Sequence, residues 1–503
     1  MPKAEGFMIT IILTLYTLAL LIVFFYALAQ LQLVFNYFKA QKVKDTSEKF
    51  NFQLEEEIPF VTVQLPLYNE KYVVERLLKN IVQLDYPREK LEIQVLDDST
   101  DDSVLQTHQL VERFKAEGVN IQHIIRTHRK GFKAGALKEG LKIAKGEFIA
   151  IFDADFMPKK DWLQQTIPYF KDEKIGVVQT RWAHLNRDYS LITKVQAFAL
   201  DFHFILEQVG RSFGKHFINF NGTAGVWRKS CILDAGNWQG DTLTEDLDLS
   251  YRAQLKGWKF KYLQEVETPA ELPMVMSAAR SQQFRWNKGA AENFQKNYSQ
   301  LFKNKQLSWA TKFHGFFHLL NSSMFLLVLV IAVLSVPVLY IKNQFPEYSF
   351  YFYVMAFLGV STLIFFIAYL ITFTKIHGKE KKSLLKFIGM FFAFFSVAMG
   401  LSVHNTWAIL EGHLGKKSSF IRTPKFNITS LNDSWKENQY LQYSFSFTQL
   451  LELGLFFYFA FAIYSAFKVN DFGLLIFHTM LFFGFGFVVW KSFFPNFRLK
   501  NRK

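Results

Sequence analysis

The chain has 503 residues, with 58 Lys and Arg against 43 Asp and Glu, a formal charge of +15. Half of the residues are hydrophobic and 17% are aromatic, which excludes intrinsic disorder. A single cysteine, Cys231, excludes an intrachain disulfide scaffold.

A hydrocarbon core about 30 Å thick needs roughly 20 mostly apolar residues in a helix. Residues 7–29 meet that without one charge. They exceed a signal-peptide core, and no small-residue cleavage site follows. Five more apolar runs follow at 316–341, 350–374, 384–403, 447–467 and 472–490. Basic flanks stay on the cytoplasmic side. Lys39, Lys42 and Lys44 therefore place residues 40–312 inside. If 384–403 crossed, Lys416, Lys417, Arg422, Lys425 and the basic C-terminus would lie outside. If it lies along the inner surface, both clusters return inside. The charges predict five crossings and an interfacial 384–403. Anionic lipid accounts for the basic excess without nucleic acid.

Between the first and second runs, short apolar strands alternate with amphipathic helices. Strands are predicted at Val61–Leu65, Ile93–Leu96, Ile121–Ile125 and Phe148–Phe152. The helices are expected from Glu70 to about Leu84, after Ser103, and over Ala134–Ala144. That alternation predicts an α/β domain with a mostly parallel sheet. Ligands bind beyond the carboxyl ends of such strands, where Asp97-Asp98 and Asp153-Ala154-Asp155 fall.

Two carboxylates one residue apart can hold a hard divalent cation, though the same pattern also makes a surface turn. Thr244-Glu245-Asp246 opens another predicted helix, where acids can simply favour the first turn. Gln282-x-x-Arg285-Trp286 lies on an amphipathic stretch near the membrane, which would also suit an interfacial Trp anchor. Lys133 in Gly131-Phe132-Lys133-Ala134-Gly135 does not complete a Walker A loop but offers a point charge for a diphosphate. No Gly-x-Ser-x-Gly elbow or paired Cys/His zinc pattern is present.

Together these pieces resemble the family 2 inverting glycosyltransferases of the cellulose synthase-like kind. They are most like the mannan and glucan synthases of the A and C groups and bacterial relatives. The strings are Gln64 to Glu70, Val95 to Ser99, Gly131 to Gly135, Asp153 to Asp155, Asn221 to Arg228, Thr244 to Asp246 and Gln282 to Trp286. Phe420-Ile-Arg-Thr-Pro-Lys425 resembles the gating loop of processive synthases, with Arg422 where Val is usual.

The resemblance implies a GT-A domain, a nucleotide-sugar donor such as GDP-mannose or UDP-glucose, and a growing β-linked polysaccharide acceptor. It implies a donor site built from Tyr68, Glu70, Asp97, Asp98, Lys133, Asp153, Asn221, Gly222 and Thr223. Asp153 and Asp155 would hold Mg²⁺ or Mn²⁺. Asp246 would be the general base, with Glu245, Gln282, Arg285 and Trp286 around the acceptor and leaving group. Phe420, Thr423 and Lys425 would form the gating loop.

The expected organisation is a membrane helix at 1–40, the GT-A domain at 41–275 and interfacial helices at 276–312. A membrane hairpin at 313–375, an interfacial helix and loop at 376–446, a second hairpin at 447–491 and a basic tail at 492–503 complete it. The lack of a targeting extension points to a bacterial inner membrane rather than a Golgi membrane. No fused regulatory domain is expected after the last crossing. A lipid-acceptor transferase making a glycolipid and a non-catalytic nucleotide-sugar sensor are the rivals.

Overall fold

A computed structural model describes residues 3–494 apart from 48, 51–57, 419, 429–432, 434–437 and 441–445. The tail beyond 494 lies outside the described residues. Helix α1 (Lys3–Ala40) leads to β1 (Val61–Leu67), α2 (Val74–Ile81), β2 (Leu91–Asp97), α3 (Ser103–Ala116), β3 (Ile121–Ile125), α4 (Phe132–Ile143) and β4 (Phe148–Ile151). The four predicted strands are present. The sequence reading missed three more strands, which follow in the second half. The order there is α5 (Trp162–Thr166), β5 (Ile175–His184), α6 (Leu191–Asp201), α7 (Gln208–Phe213), β6 (Gly225–Arg228), α8 (Lys229–Asp234), α9 (Glu245–Leu255) and β7 (Lys259–Ala270).

The sheet order is β3-β2-β1-β4-β6-β5-β7. Strand β6 runs antiparallel to β4 and β5, while the other pairings are parallel. Six strands therefore end on one edge, and the chain reverses its winding between β1 and β4, the place where such sheets open a crevice. Val61, Val63, Leu65, Phe148 and Ala150 are fully buried on one face of the sheet, and Ile149 and Ile151 on the other. Phe148 stacks on Phe170 at 4.4 Å between centroids. Truncating such a buried ring costs about 3–5 kcal/mol.

The rest of the chain is helical: α10 (Met276–Lys303), α11 (Trp309–Leu320), α12 (Met324–Gln344), α13 (Ser349–Phe357), α14 (Val360–His377), α15 (Lys381–Gly400), α16 (Ser402–His413), α17 (Phe447–Lys468) and α18 (Leu475–Phe493). Among the described residues, six helical stretches are long and apolar enough to cross a membrane, and all six predicted apolar runs lie in them. Outward rings such as Phe350 and Tyr353, each about four-fifths exposed, suit a lipid neighbour rather than water.

Helix α15 packs both on the crossing helices and on the α/β domain. Its Gly400 lies so close to Gly484 of α18 that a Cβ would collide with the Gly484 carbonyl oxygen, and Phe366 of α14 packs on Phe387 and Phe391. On the domain side, Phe387 and Phe394 pack on Phe198 of α6. The next helix, α16, packs against α10 through a Lys288–Glu411 ion pair and a Gln295–His413 hydrogen bond of 3.0 Å. Helix α10 is in turn anchored to α17 by Arg280, whose guanidinium makes bonds of 2.9 and 2.8 Å to the two carboxylate oxygens of the enclosed Glu452.

Candidate active site

The first two acids lie side by side in sequence, yet they do different work. Successive side chains of a strand point to opposite faces. Asp97 ends β2 and turns inward. It accepts from Ser99 N–H at 2.9 Å and lies 2.9 Å from Nε2 of His123. Asp97 does not line the cleft, contrary to the direct nucleotide contact expected of it. Asp98 does line the cleft, where Arg126 grips both of its oxygens, one through Nε at 2.7 Å. Beside it the Arg129 guanidinium lies 3.2 Å from the Tyr68 ring centroid.

The carboxylates after β4 also face cations. Lys133 Nζ donates to Asp153 at 2.6 Å and to the Gly222 carbonyl at 2.7 Å. Burial opposes the Lys133 charge, but Asp153, Glu245 and Asp246 more than offset it and raise its pKa. Thr223 is buried beneath this turn, where its hydroxyl accepts from Asp153 N–H at 2.9 Å, so it supports the cleft instead of lining it. Asp155 is buried with Lys425 Nζ at 2.8 Å, and its other oxygen accepts from Glu271 N–H at 3.2 Å.

No three His, Cys, Asp or Glu side chains among the described residues are grouped to hold a metal unaided. Asp153 and Asp155 nevertheless supply hard oxygens of the right kind. Each faces one lysine, Lys133 on Asp153 and Lys425 on Asp155 Oδ1, and a carboxylate oxygen can serve a cation alongside such a partner. The pair therefore fits a divalent cation whose remaining positions are filled by phosphate oxygens and water.

Glu245 and Asp246 open α9 on the opposite wall. Thr244 does not cap that helix with its side chain. Its hydroxyl instead accepts from Asn293 of α10 at 2.9 Å. Gly289 of α10 permits this contact, since a Cβ there would come within 2.6 Å of Thr244 side-chain atoms. Among the described residues no cation forms a salt bridge with either acid. Burial first, then Glu245, raises the pKa of Asp246 to about 7. Burial also raises Glu245. Gly222 sits across from Asp246 at φ +80°, and a Cβ there would lie 3.1 Å from Oδ2. Both backbone geometry and space favour glycine at that position.

Gln282, Arg285 and Trp286 reach the same cleft from α10, and Asn221 enters beside Gly222. The segment from Phe420 to Lys425 closes over it. Phe420 stacks on Phe132 at 5.6 Å and lies under the Arg285 guanidinium, while Arg285 Nη2 donates to Thr423 at 3.3 Å. Arg422 donates to the carbonyls of Tyr68 and Asn69 and lies 3.3 Å from Glu70 Oε2. Burial raises Glu70 to about 7, against the pull of Arg422 and Lys425.

Sequence reasoning did not pick out Arg126, Arg129 or Glu271. All three follow a strand's carboxyl end, and that position was the available signal. Burial raises Glu271 to about 7, and its carboxylate accepts from Phe426 N–H at 2.8 Å and Ile428 N–H at 3.3 Å, anchoring the loop's far end.

Residues 59–289 match the model described as "Glycosyltransferase like family 2". The chain is 44% identical over 261 residues to glucomannan 4-beta-mannosyltransferase 1 of Oryza sativa subsp. japonica, covering 51% of this chain and 50% of that one. It is 42% identical over 282 residues to glucomannan 4-beta-mannosyltransferase 9 of Arabidopsis thaliana, covering 55% and 52%. The chain thus spans about half the length of these relatives. Among solved structures it is similar to the mannosyltransferase PcManGT from Pyrobaculum calidifontis, determined with GDP-Man and Mn²⁺. The TM-score is 0.52 at 19% identity, over 81% of this chain and 100% of that one. That likeness bears out the GT-A fold.

Proposed function

We propose that this chain, whose residues 59–289 form a domain of the glycosyltransferase-like family 2, transfers mannosyl units from GDP-mannose to a growing β-linked polysaccharide at a membrane surface, with UDP-glucose the competing donor. One observation carries the reading. Asp98, Asp153 and Asp155 on the donor wall share a single cleft with Asp246, Gln282, Arg285 and Trp286 on the acceptor wall. The mannosyltransferase names of the plant relatives support the choice of sugar.

In this reading Tyr68, Arg129 and Asp98 bind the nucleoside, while Asp97 holds the turn beneath it through His123 and Ser99. Asp153 and Asp155 would hold Mg²⁺ or Mn²⁺, which supplies positive charge to the diphosphate leaving group. Lys133 and Arg285 add charge at the same place. The acceptor hydroxyl oxygen attacks the anomeric carbon and its proton passes to Asp246. The carbon–oxygen bond to the diphosphate breaks with its electron pair on the departing nucleotide. Attack opposite the leaving group inverts α to β, so no covalent carboxylate intermediate is needed. Trp286 gives the terminal sugar a flat apolar face, and Gln282 and Glu245 hold polar positions around it.

The basic flanks support five crossings. Helix α15 follows the basic end of α14 and leads into α16, which lies on α10 beside the catalytic domain. With Lys375, Lys379, Lys381 and Lys382 before α15 and Lys416 and Lys417 after α16, the charge pattern favours both ends of α15 on the cytoplasmic side. The relatives reported are plant proteins, which lends the bacterial inner membrane no support.

The test uses the purified full chain in lipid vesicles with Mg²⁺ or Mn²⁺ and labelled GDP-mannose or UDP-glucose. Hydrolase-sensitive β-linked polymer from GDP-mannose is the expected product. Label confined to the lipid extract would contradict the proposal, as would donor binding without transfer.

A further inference from the structure

The long helix joining β5 to β6 is interrupted by a π-helical turn over Phe202–Glu207. Such turns add a residue and re-aim side chains, often at functional sites. Here the turn carries His203, whose two ring nitrogens face different partners. Nδ1 lies 3.0 Å from Glu207 Oε2, and Nε2 lies 3.1 Å from Asn221 Oδ1. Glu207 is buried and also receives Gln30 Nε2 of α1 at 2.8 Å and Arg211 Nη2 at 3.1 Å. Burial opposes its charge, but Arg211, His203 and Gln30 together hold its carboxyl down to about 2. At the other end, Asn219 Nδ2 donates to the same Asn221 oxygen at 2.7 Å. The Asn221 amide is therefore fixed from two sides, in the cleft and next to the glycine that faces Asp246.

We infer that His203 is a positioning residue for the acceptor sugar, holding the Asn221 amide against an acceptor hydroxyl beside Asp246 while Glu207 holds the ring. This deepens the proposed transfer reaction and rests on it. His203 itself does not line the cleft. Its influence passes through Asn221, and the line Gln30–Glu207–His203–Asn221 ties the first membrane helix to the acceptor wall.

The two ring nitrogens can be tested separately. Glutamine places its terminal amide near the position of Nε2, and asparagine places its amide near that of Nδ1. Full-length His203→Gln and His203→Asn are assayed in vesicles for polymer formed at varied GDP-mannose concentration, with GDP binding measured alongside. His203→Gln is expected to stay within about threefold of wild-type kcat. His203→Asn is expected to lose roughly tenfold in kcat with donor KM and GDP affinity unchanged, the scale of one buried hydrogen bond. Asn221→Ala should show the same loss, and adding His203→Asn to it should cost nothing more.

The inference is overturned if His203→Asn matches wild type and His203→Gln fails. It is also overturned if donor KM rises in step with the loss of kcat, or if the two substitutions add. Should His203→Asn not fold, the comparison of His203→Gln with Asn221→Ala retains the test: equal losses overturn the inference. Wild-type protein that makes no polymer sinks the transfer reading, an outcome separate from all of these.

Discussion

The two walls of the cleft treat their acids in opposite ways. On the donor wall Asp98 faces Arg126, Asp153 faces Lys133 and Asp155 faces Lys425. On the acceptor wall Glu245 and Asp246 are also enclosed, but among the described residues no cation comes within salt-bridge distance of either, and Lys133 acts on both only from across the cleft. An acid that must receive a negatively charged diphosphate needs positive charge at hand to make the site attractive. A general base needs a high proton affinity, and burial beside a second carboxyl gives Asp246 a pKa of about 7. In the proposed reaction this difference separates binding from chemistry within one pocket.

The comparison breaks most severely at Asp246. Asp246→Asn should lower polymer synthesis by roughly 10²–10⁴-fold while nucleotide affinity, read by calorimetry, stays within a factor of about three. Asp153→Asn should lower binding as well as transfer. It removes a carboxylate that faces Lys133 and would hold the cation, so metal-dependent donor binding weakens by at least about tenfold, the effect of losing one charged contact. A smaller effect is expected at the loop. Arg422→Ala removes the donors to the Tyr68 and Asn69 carbonyls and should raise donor KM by roughly five- to tenfold with little change in kcat.

An acid paired outside the cleft serves as the control. Glu452→Ala leaves Arg280 enclosed without its carboxylate, a change that costs about 3–5 kcal/mol. It should appear in the thermal unfolding of detergent-solubilised protein and leave GDP affinity in the folded fraction unchanged.

The donor wall was far more legible in the sequence than its surroundings. Strand β4 is a continuous apolar run, β1 to β3 are short and mostly apolar, and acids follow β2 and β4. Strand β5 carries Gln179, Thr180 and Arg181, and β7 alternates Lys, Glu and Gln with apolar residues, so neither stood out as a buried strand. Adjacent Asp97 and Asp98 read as a pair because composition does not show the alternation that sends one inward. Lys133, Arg285 and Lys425 were placed by motif. Arg126 and Arg129 lie in a loop with no pattern of their own, and only the folded sheet edge brings them to the nucleoside side. His203 belongs to no motif in the sequence, since its partners Glu207 and Asn221 meet it only through the π-helical turn.

The central claim is that Asp246 owes its basicity to burial beside Glu245, against the pull of Lys133. Its most direct test is the pH dependence of kcat/KM for the wild type and for Glu245→Gln. In the wild type, activity should fall as pH drops below about 7, because the Asp246 carboxyl then takes up a proton and can no longer accept one from the acceptor. Removing the neighbouring negative charge lowers that proton affinity, so the acid limb of Glu245→Gln should move to lower pH. A limb that stays in place, or full activity well below neutral pH in the wild type, would contradict the assignment of Asp246 as the base.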